Sequence, residues 1–219
     1  MKNQITSILY KGISVNAIED FWNNQHKGPI KDAHWVSGTP LEEICLNLNL
    51  SIADLVGKTV LEIGVGHGVC TKKLNSISKN YAVDITEDVL KKVEGLIIKG
   101  YSADKLHLLP ENFFDYAISH LVAQHMSTAD LAYQIKMVLK SMKPDGIFAM
   151  QLADTIDGAN YLEENIENIT TGGICKPLSV INKMVIDGGG YLSWISPIIN
   201  CNNKFSKWYF IHIKRLIKP

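Results

Sequence analysis

The stretch Val60-Leu-Glu-Ile-Gly-Val-Gly-His-Gly68 decides the fold, because an apolar run containing one acid, Glu62, leads directly into three glycines within five residues. A short apolar run bounded by glycines predicts a buried strand. Glycines directly after a strand allow a ligand to approach the backbone and the N-terminus of the helix that follows. The stretch therefore predicts a strand–turn–helix unit with a ligand site at the turn.

Strand-like and helix-like segments alternate on the C-terminal side of this unit. We predict strands at 59–63, 81–84, 97–101, 114–119 and 146–152, with helices at 68–77, after Thr86 and at 127–142. A helix at 178–187 then precedes two strand-like runs, 191–199 and 205–213, joined by a turn-rich segment. The pattern predicts an α/β fold with a doubly wound, seven-stranded, mostly parallel sheet, a C-terminal antiparallel hairpin and helices on both faces.

Composition limits the classes of partner. The 219 residues include 46% hydrophobic and 20% charged residues, and the 22 basic and 22 acidic residues balance. Arg215 is the one arginine, so we expect no nucleic-acid partner. The four cysteines, at positions 45, 70, 175 and 201, form no metal or redox motif, and no apolar run has the length of a signal peptide core or a membrane helix. We expect a cytoplasmic protein without a metal or a membrane segment.

The spacing of the glycines distinguishes between ligands. The dinucleotide fingerprint would need glycine or alanine at position 69, which is Val69, whereas here the third glycine comes one residue early, at Gly68. Glu62 also places a negative charge where a dinucleotide would carry its pyrophosphate. The turn therefore favours a ligand with a cationic or donor-rich end.

The motif Glu62-x-Gly64-x-Gly66-x-Gly68 resembles the first motif of the class I S-adenosylmethionine-dependent methyltransferases. Their cofactor carries a sulfonium, an ammonium and no phosphate. The segments 109–115, 121–125 and 143–146 also resemble this family, and the resemblance extends over about 58–213. It implies a single methyltransferase domain over 1–219, with a helical lid or cap at 1–57, a Rossmann-like core at 58–219 and an acceptor-side insertion at 154–176.

The resemblance also implies a set of cofactor-binding residues. Asp84 matches the acid that closes the second strand and holds both ribose hydroxyls, which a carboxylate can accept together. An acid is usual after the third strand, but Asp104 fits only with loosened spacing, so Ser102, Ala103 and Asp104 remain joint candidates. The full set is Glu62, Gly64, Gly66, Gly68, Asp84, Ile85, Ser102, Ala103, Asp104, Ser119 and His120.

Methyl transfer is an in-line displacement, and an oxygen nucleophile usually needs a base that takes its proton. His125 and His120 are the catalytic candidates, although each also has a purely structural interpretation. Neither the motif used on exocyclic amines nor the Asp-Asn pair of magnesium-dependent catechol enzymes is present, so we expect O-methylation of a small-molecule or glycan-linked acceptor. Two alternatives stay open, an NAD(P)-dependent oxidoreductase of similar fold and a non-catalytic methyltransferase-like subunit. The oligomeric state also stays open.

Overall fold

The computed structural model describes residues 15–26, 39–154, 164, 169–170, 174–200 and 207–217. The helices are α1 Val15–His26, α2 Leu41–Asn47, α3 Ile52–Leu55, α4 Val69–Ile77, α5 Glu87–Lys92, α6 Thr128–Ser141 and α7 Leu178–Asp187. The strands are β1 Thr59–Ile63, β2 Lys79–Asp84, β3 Lys99–Ser102, β4 Phe114–Ser119, β5 Met142–Asp154, β6 Gly190–Ile195, β7 Ile199–Asn200 and β8 Lys207–Arg215. Short 3-10 turns span Glu94–Leu96, Ala103–Leu108 and Ala123–His125.

The strands form one sheet in the order β3-β2-β1-β4-β5-β8-β6, and the two-residue β7 also pairs with β8. Strands β1 to β5 are parallel, whereas β8 runs antiparallel to both β5 and β6. The predicted mostly parallel sheet with a C-terminal antiparallel hairpin is confirmed. The strand order reverses between β1 and β4, and such a reversal opens a crevice for ligands at the carboxyl ends of the strands.

The sheet buries apolar side chains on both faces. The face that α6 and α7 cover includes Leu61, Ala117, Phe148, Leu131 and Ile181. The face that α2 and α4 cover includes Val60, Ile118, Phe210, Leu41 and Leu74. This alternation along β1 and β4 follows from the two-residue period of a strand. Within the described ranges, no helix combines the length and the hydropathy that crossing a membrane would require.

Asp115 joins three segments at the amino ends of the strands. Its Oδ2 accepts a 2.9 Å hydrogen bond from the Thr59 backbone N–H, and its Oδ1 forms a 2.7 Å ion pair with Lys143 Nζ. Two of the segments behind the family resemblance, 109–115 and 143–146, therefore meet at the edge opposite the glycine turn. The Asp115 contacts hold the amino ends of β1, β4 and β5 in register, at the edge of the sheet away from the expected ligand site.

Two helices begin without a side-chain cap. The residues Thr39-Pro40-Leu41-Glu42 are typical of a helix start with Thr39 as the cap, but Pro40 occupies the N-cap position of α2 and its carbonyl accepts from the Ile44 N–H at 3.1 Å. Thr86 stands at the N-cap of α5, yet its hydroxyl donates to Asp84 instead of capping the helix. Proline has no side-chain acceptor for the free N–H groups of the first turn, and the Asp84 carboxylate is a strong acceptor that holds the Thr86 hydroxyl.

Several boundaries differ from the prediction. Strand β3 begins two residues late, because Ile97 packs with the side chains under α5. Helix α3 was not predicted, although Ser51 and Asp54 form a capping box. The predicted strand 191–199 stops at Ile195 and resumes as β7, since Pro197 has no N–H for the ladder. The predicted turn residues 201–203 lie outside the described residues.

Candidate functional site

The predicted cofactor residues follow the carboxyl ends of four adjacent strands. The glycine turn follows β1, Asp84 and Ile85 close β2, residues 102–104 follow β3, and Ser119 and His120 close β4. Because these strands are neighbours in the order β3-β2-β1-β4, the fold brings all of these residues to one edge. The strand order alone thus assembles a site from residues up to 58 positions apart, Glu62 to His120.

The three glycines all adopt left-handed backbone conformations, with φ of +81° at Gly64, +55° at Gly66 and +78° at Gly68. Side chains disfavour this region, so the turn depends on glycine. A Cβ on Gly64 would lie 2.1 Å from Val122 Cγ2, in the loop after β4. The missing side chain at Gly64 therefore makes room for the protein itself as well as for a ligand.

Asp84 ties the glycine turn to the end of β2. Its Oδ2 accepts from the Val65 N–H at 2.8 Å, and its Oδ1 accepts from both the N–H and the hydroxyl of Thr86 at 2.9 Å. A carboxylate has about four acceptor positions. Three are occupied by these donors, so Oδ2 retains one position for a hydroxyl from a ligand.

Glu62 lies inside the protein, 3% exposed, below the glycine turn. Its Oε2 accepts from Asn80 Nδ2 at 3.4 Å. Burial raises the pKa of Glu62 to about 7, although hydrogen bonds from Thr71, Asn80 and Cys70 oppose that shift. A carboxyl group with this pKa is half ionised near neutral pH, so a cation arriving above it would draw it into the charged form.

Helix α1 lies beside this edge and carries an acid toward it. Ile18 is buried with Ile85, the residue after Asp84, together with Ile169 and Ile174. The pKa of Glu19 is raised by burial and by the nearby charges of Glu87, Asp20, Asp104 and Asp88. The exposed Asp104 accepts a hydrogen bond from the Ser102 hydroxyl. These acids share the β2 and β3 side of the site with Lys105, which pairs with Glu87 at 3.4 Å.

The end of β4 leaves several buried polar atoms without partners. Among the described residues, Ser119 Oγ, His120 Nε2 and Gln151 Nε2 have no hydrogen-bond partner, although Gln151 Oε1 accepts from the Leu121 N–H at 3.2 Å. Leu121 has φ of +60°, a left-handed conformation that is strained for leucine. Burial lowers the pKa of His120 to about 4. Unpaired buried polar groups are costly, so water or a ligand is expected to supply the partners here.

His125 lies in the 3-10 turn after β4, with its orientation fixed by a carbonyl. Its Nδ1 is 2.6 Å from the Ile169 carbonyl oxygen, and its ring makes an edge contact with Trp22 of α1 at 4.8 Å between centroids. Because a carbonyl oxygen only accepts, Nδ1 carries the proton and Nε2 keeps its lone pair. Burial lowers the pKa of His125 to about 4, so the imidazole is neutral at physiological pH.

Lys176 is a buried cation beside the same turn, 2% exposed. Its Nζ donates to the Met126 carbonyl at 2.7 Å and to the Ala123 carbonyl at 3.5 Å. Burial lowers the pKa of Lys176 to about 8, while the charge of Glu164 acts in the opposite direction. The ammonium therefore stays charged at neutral pH, held by carbonyl oxygens at the two ends of the turn that carries His125.

Residues 61–150, from β1 into β5, match a sequence family described as a methyltransferase domain. This part of the chain is a methyltransferase domain. It contains the glycine turn, Asp84, the residues after β3 and both candidate histidines. The resemblance to class I methyltransferases is confirmed, and the sheet has their arrangement.

Solved structures share the fold of this protein over nearly the whole chain. Magnesium protoporphyrin IX methyltransferase from Synechocystis PCC 6803, with bound SAM, has 16% identity and a TM-score of 0.62, with 96% of this chain and 99% of that chain covered. N-methyltransferase NodS from Bradyrhizobium japonicum WM9, in complex with S-adenosyl-l-homocysteine, has 14% identity and a TM-score of 0.65, with 90% and 98% covered. The [4+2]-cyclase SpnF has 12% identity and a TM-score of 0.64, with 92% and 93% covered. No curated protein matches this chain in sequence.

Two residues of this site were not predicted from the sequence as site residues. Gln151 was predicted only as part of a strand, and Lys176 only as the end of the insertion 154–176. Both reach the site through the fold, because β5 lies beside β4 and because the Lys176 N–H pairs with the Ala153 carbonyl at 2.9 Å. His34 and Trp35, predicted as parts of a lid, lie outside the described residues.

Proposed function

We propose that this protein transfers a methyl group from S-adenosylmethionine to the oxygen of a small-molecule or glycan-linked acceptor. The observation that carries the proposal is the carboxyl edge of the sheet, where a left-handed glycine turn, Asp84 and the buried Glu62 surround one crevice. The family match supports the reaction type, and the fold supports the position of the crevice.

The residues present fit this cofactor. Asp84 Oδ2 retains one acceptor position, so it can accept one ribose hydroxyl directly. The sequence predicted that Asp84 accepts both ribose hydroxyls. Glu62, Glu19 and Asp104 make the surroundings negative, as a ligand with a sulfonium and an ammonium requires and a diphosphate does not. Structures of the same fold have been determined with bound SAM and with S-adenosyl-l-homocysteine.

The acceptor is expected above β4 and β5, because residues after β3, β2 and β1 hold the cofactor. There His120, Ser119 and Gln151 present polar atoms that have no partner among the described residues, and the first two, also predicted to bind the cofactor, would lie between it and the acceptor. The bound cofactor supplies an electrophilic methyl group. The chain aligns the acceptor oxygen, excludes water and provides His125 Nε2, whose lone pair can take the acceptor proton. His120 is the second candidate for that proton.

The N-terminal segment is proposed as a lid, and residues 154–176 as an acceptor-side wall. Helix α1 supports this division, since Ile18 packs against Ile169 and Ile174, and Trp22 contacts His125. Both segments thus meet over the β4 side of the crevice. The proposal also keeps the expectations of one domain over 1–219, a cytoplasmic location and no nucleic-acid partner.

Calorimetric titration with S-adenosylhomocysteine tests the cofactor assignment. We expect binding by the wild-type protein and by Asp88→Ala, which changes an exposed acid on α5, but at least tenfold weaker binding by Asp84→Ala. Stabilisation by a nicotinamide cofactor without any effect of S-adenosylhomocysteine would instead establish the oxidoreductase alternative. Binding of neither compound would support the non-catalytic subunit.

A screen of hydroxyl, carboxyl and amine acceptors with radiolabelled S-adenosylmethionine tests the acceptor assignment. The comparison matters because similar structures include an N-methyltransferase and a [4+2]-cyclase. Label transfer to amines alone would refute O-methylation while leaving methyl transfer intact.

A further inference from the structure

Four contacts join the turn that carries His125 to the segment between β5 and α7. The His125 ring bonds to the Ile169 carbonyl, the Ile174 N–H donates to the Gln124 carbonyl at 2.6 Å, and Lys176 Nζ donates to the carbonyls at both ends of the turn. Glu164 Oε1 accepts from the N–H of Thr128, the first residue of α6, at 2.7 Å.

Lys176 is also the residue through which this segment is attached to the sheet. Its N–H donates to the Ala153 carbonyl of β5 at 2.9 Å, and its own carbonyl accepts from the Tyr209 hydroxyl of β8 at 2.8 Å. The backbone of Lys176 is thus fixed by two strands, while its side chain reaches the loop after a third strand, β4. A rigid anchor of this kind fixes a loop more precisely than contacts between two loops.

The ammonium has few alternative partners. Within the part of the chain that the structure describes, Lys176 forms no ion pair, and the ionisable groups that face it are Glu164 and Cys175 on the segment, Asp130 on α6 and His125 itself. Glu164 and Asp130 act through space rather than by contact. Burying the lysine ammonium costs desolvation free energy, and its two hydrogen bonds go to neutral carbonyl oxygens. An uncharged side chain could fill the same place without that cost, so a purely structural role does not account for a lysine here.

We propose that Lys176 is a positioning residue for His125, and that its ammonium holds the 123–126 turn so that Nδ1 faces the Ile169 carbonyl and Nε2 faces the acceptor. The inference rests on the proposed function, which gives His125 its role as the base. Lys176 does not touch the reacting atoms. It determines the direction in which the lone pair of His125 points, by fixing the carbonyl oxygens of Ala123 and Met126 on either side of that residue.

Nuclear magnetic resonance of the full-length protein, with nitrogen-15 in its histidines, tests the proposal without a known acceptor. Long-range nitrogen–proton spectra report which ring nitrogen carries the proton, and His125→Gln assigns the signals. We expect wild-type His125 to be in the Nδ1–H form. In Lys176→Met, which keeps the length of the side chain and removes its charge, we expect a mixture of both forms and a midpoint raised by roughly one to two pH units.

Lys183→Met is the matched control, since it removes an exposed ammonium of α7 that pairs with Asp187 and leaves Lys176 and its anchor in place. It should keep the Nδ1–H form. An Nε2–H form in the wild-type protein, an unchanged Lys176→Met spectrum, or an equal effect of Lys183→Met would overturn the proposal. If Lys176→Met does not fold, the wild-type spectrum still decides whether His125 is in the Nδ1–H form, and an Nε2–H form overturns the proposal. The affinity for S-adenosylhomocysteine is measured on the same samples. Absence of binding by the wild-type protein would mean that the proposed function fails, independently of the form that His125 takes.

Discussion

The backbone N–H of Val65 donates a 2.8 Å hydrogen bond to Asp84 Oδ2, and this contact joins the turn after β1 to the end of β2. The same carboxylate accepts from Thr86 at the start of α5. One side chain therefore holds both walls of the cofactor crevice in place before any ligand arrives. The predicted ligand role of Asp84 is thus combined with a structural one.

Asp84→Asn should lower stability as well as cofactor affinity. The asparagine amide has one acceptor oxygen, so its NH₂ group would face either the Val65 N–H or the N–H and hydroxyl of Thr86, which would lose their acceptor. Loss of a buried charged hydrogen bond costs about 1.5–3 kcal/mol, which corresponds to a fall in Tm of several degrees. Thermal unfolding checks this, with Asp88→Asn as the exposed control. Weakened binding of S-adenosylhomocysteine at unchanged Tm would mean that Asp84 serves the ligand alone.

Glu62 should make the protein less stable as pH rises from about 4.5 to about 7. In that range the folded state still holds the proton that the unfolded chain has released, so the free energy of unfolding falls with pH. Glu62→Gln removes this term, and its stability relative to wild type should increase by up to about 3 kcal/mol across the range. Urea unfolding at several pH values measures it. A flat difference between the two proteins would contradict the raised pKa.

Cofactor binding should release protons near neutral pH. A sulfonium and an ammonium close to Glu62 favour its ionised form, so S-adenosylmethionine should bind more tightly as pH approaches 7. Calorimetry in buffers with different heats of ionisation counts the released protons. The exposed Glu94→Gln should behave as wild type does, whereas Glu62→Gln should lose the effect.

Gly64→Ala should be far more damaging than Gly57→Ala. Both glycines have positive φ, +81° and +72°, but only Gly64 has a close neighbour, Val122, at 2.1 Å from a built Cβ. Backbone strain alone costs about 1–2 kcal/mol, and overpacking adds about 1–3 kcal/mol. Val122→Ala should recover part of the loss in Gly64→Ala. Equal losses in the two single variants would show that packing against Val122 is unimportant.

The pH profile of turnover should identify the base. Because burial lowers the pKa of His125 to about 4, kcat at saturating S-adenosylmethionine, where Glu62 is already ionised, should stay constant down to about pH 5 and fall below it. His125→Ala should reduce kcat by about 10²–10⁴-fold, with His120→Ala as the comparison. An acidic limb near the ordinary histidine value, or full turnover by His125→Ala, would remove His125 from this role.

The sequence predicts the parallel half of this fold well, because glycines and β-branched runs determine it locally. The strand β1, the turn at Gly64 and the capping of α6 by Ser127 all follow from neighbouring residues. Gln151 and Lys176 could not be found this way, since only the pairing of β5 with β4 and β8 brings them to the histidines. Pro197 indicates a break in the strand, but the apolar residues on both sides of it favour one continuous strand over 191–199.

Leu121 holds a left-handed conformation with the help of one amide oxygen, that of Gln151. Glycine adopts this conformation without the strain that leucine carries, so random substitution followed by selection for heat resistance should recover Leu121→Gly. Evolution in the laboratory would thus record, at this one position, the strain that the loop after β4 carries in the native sequence.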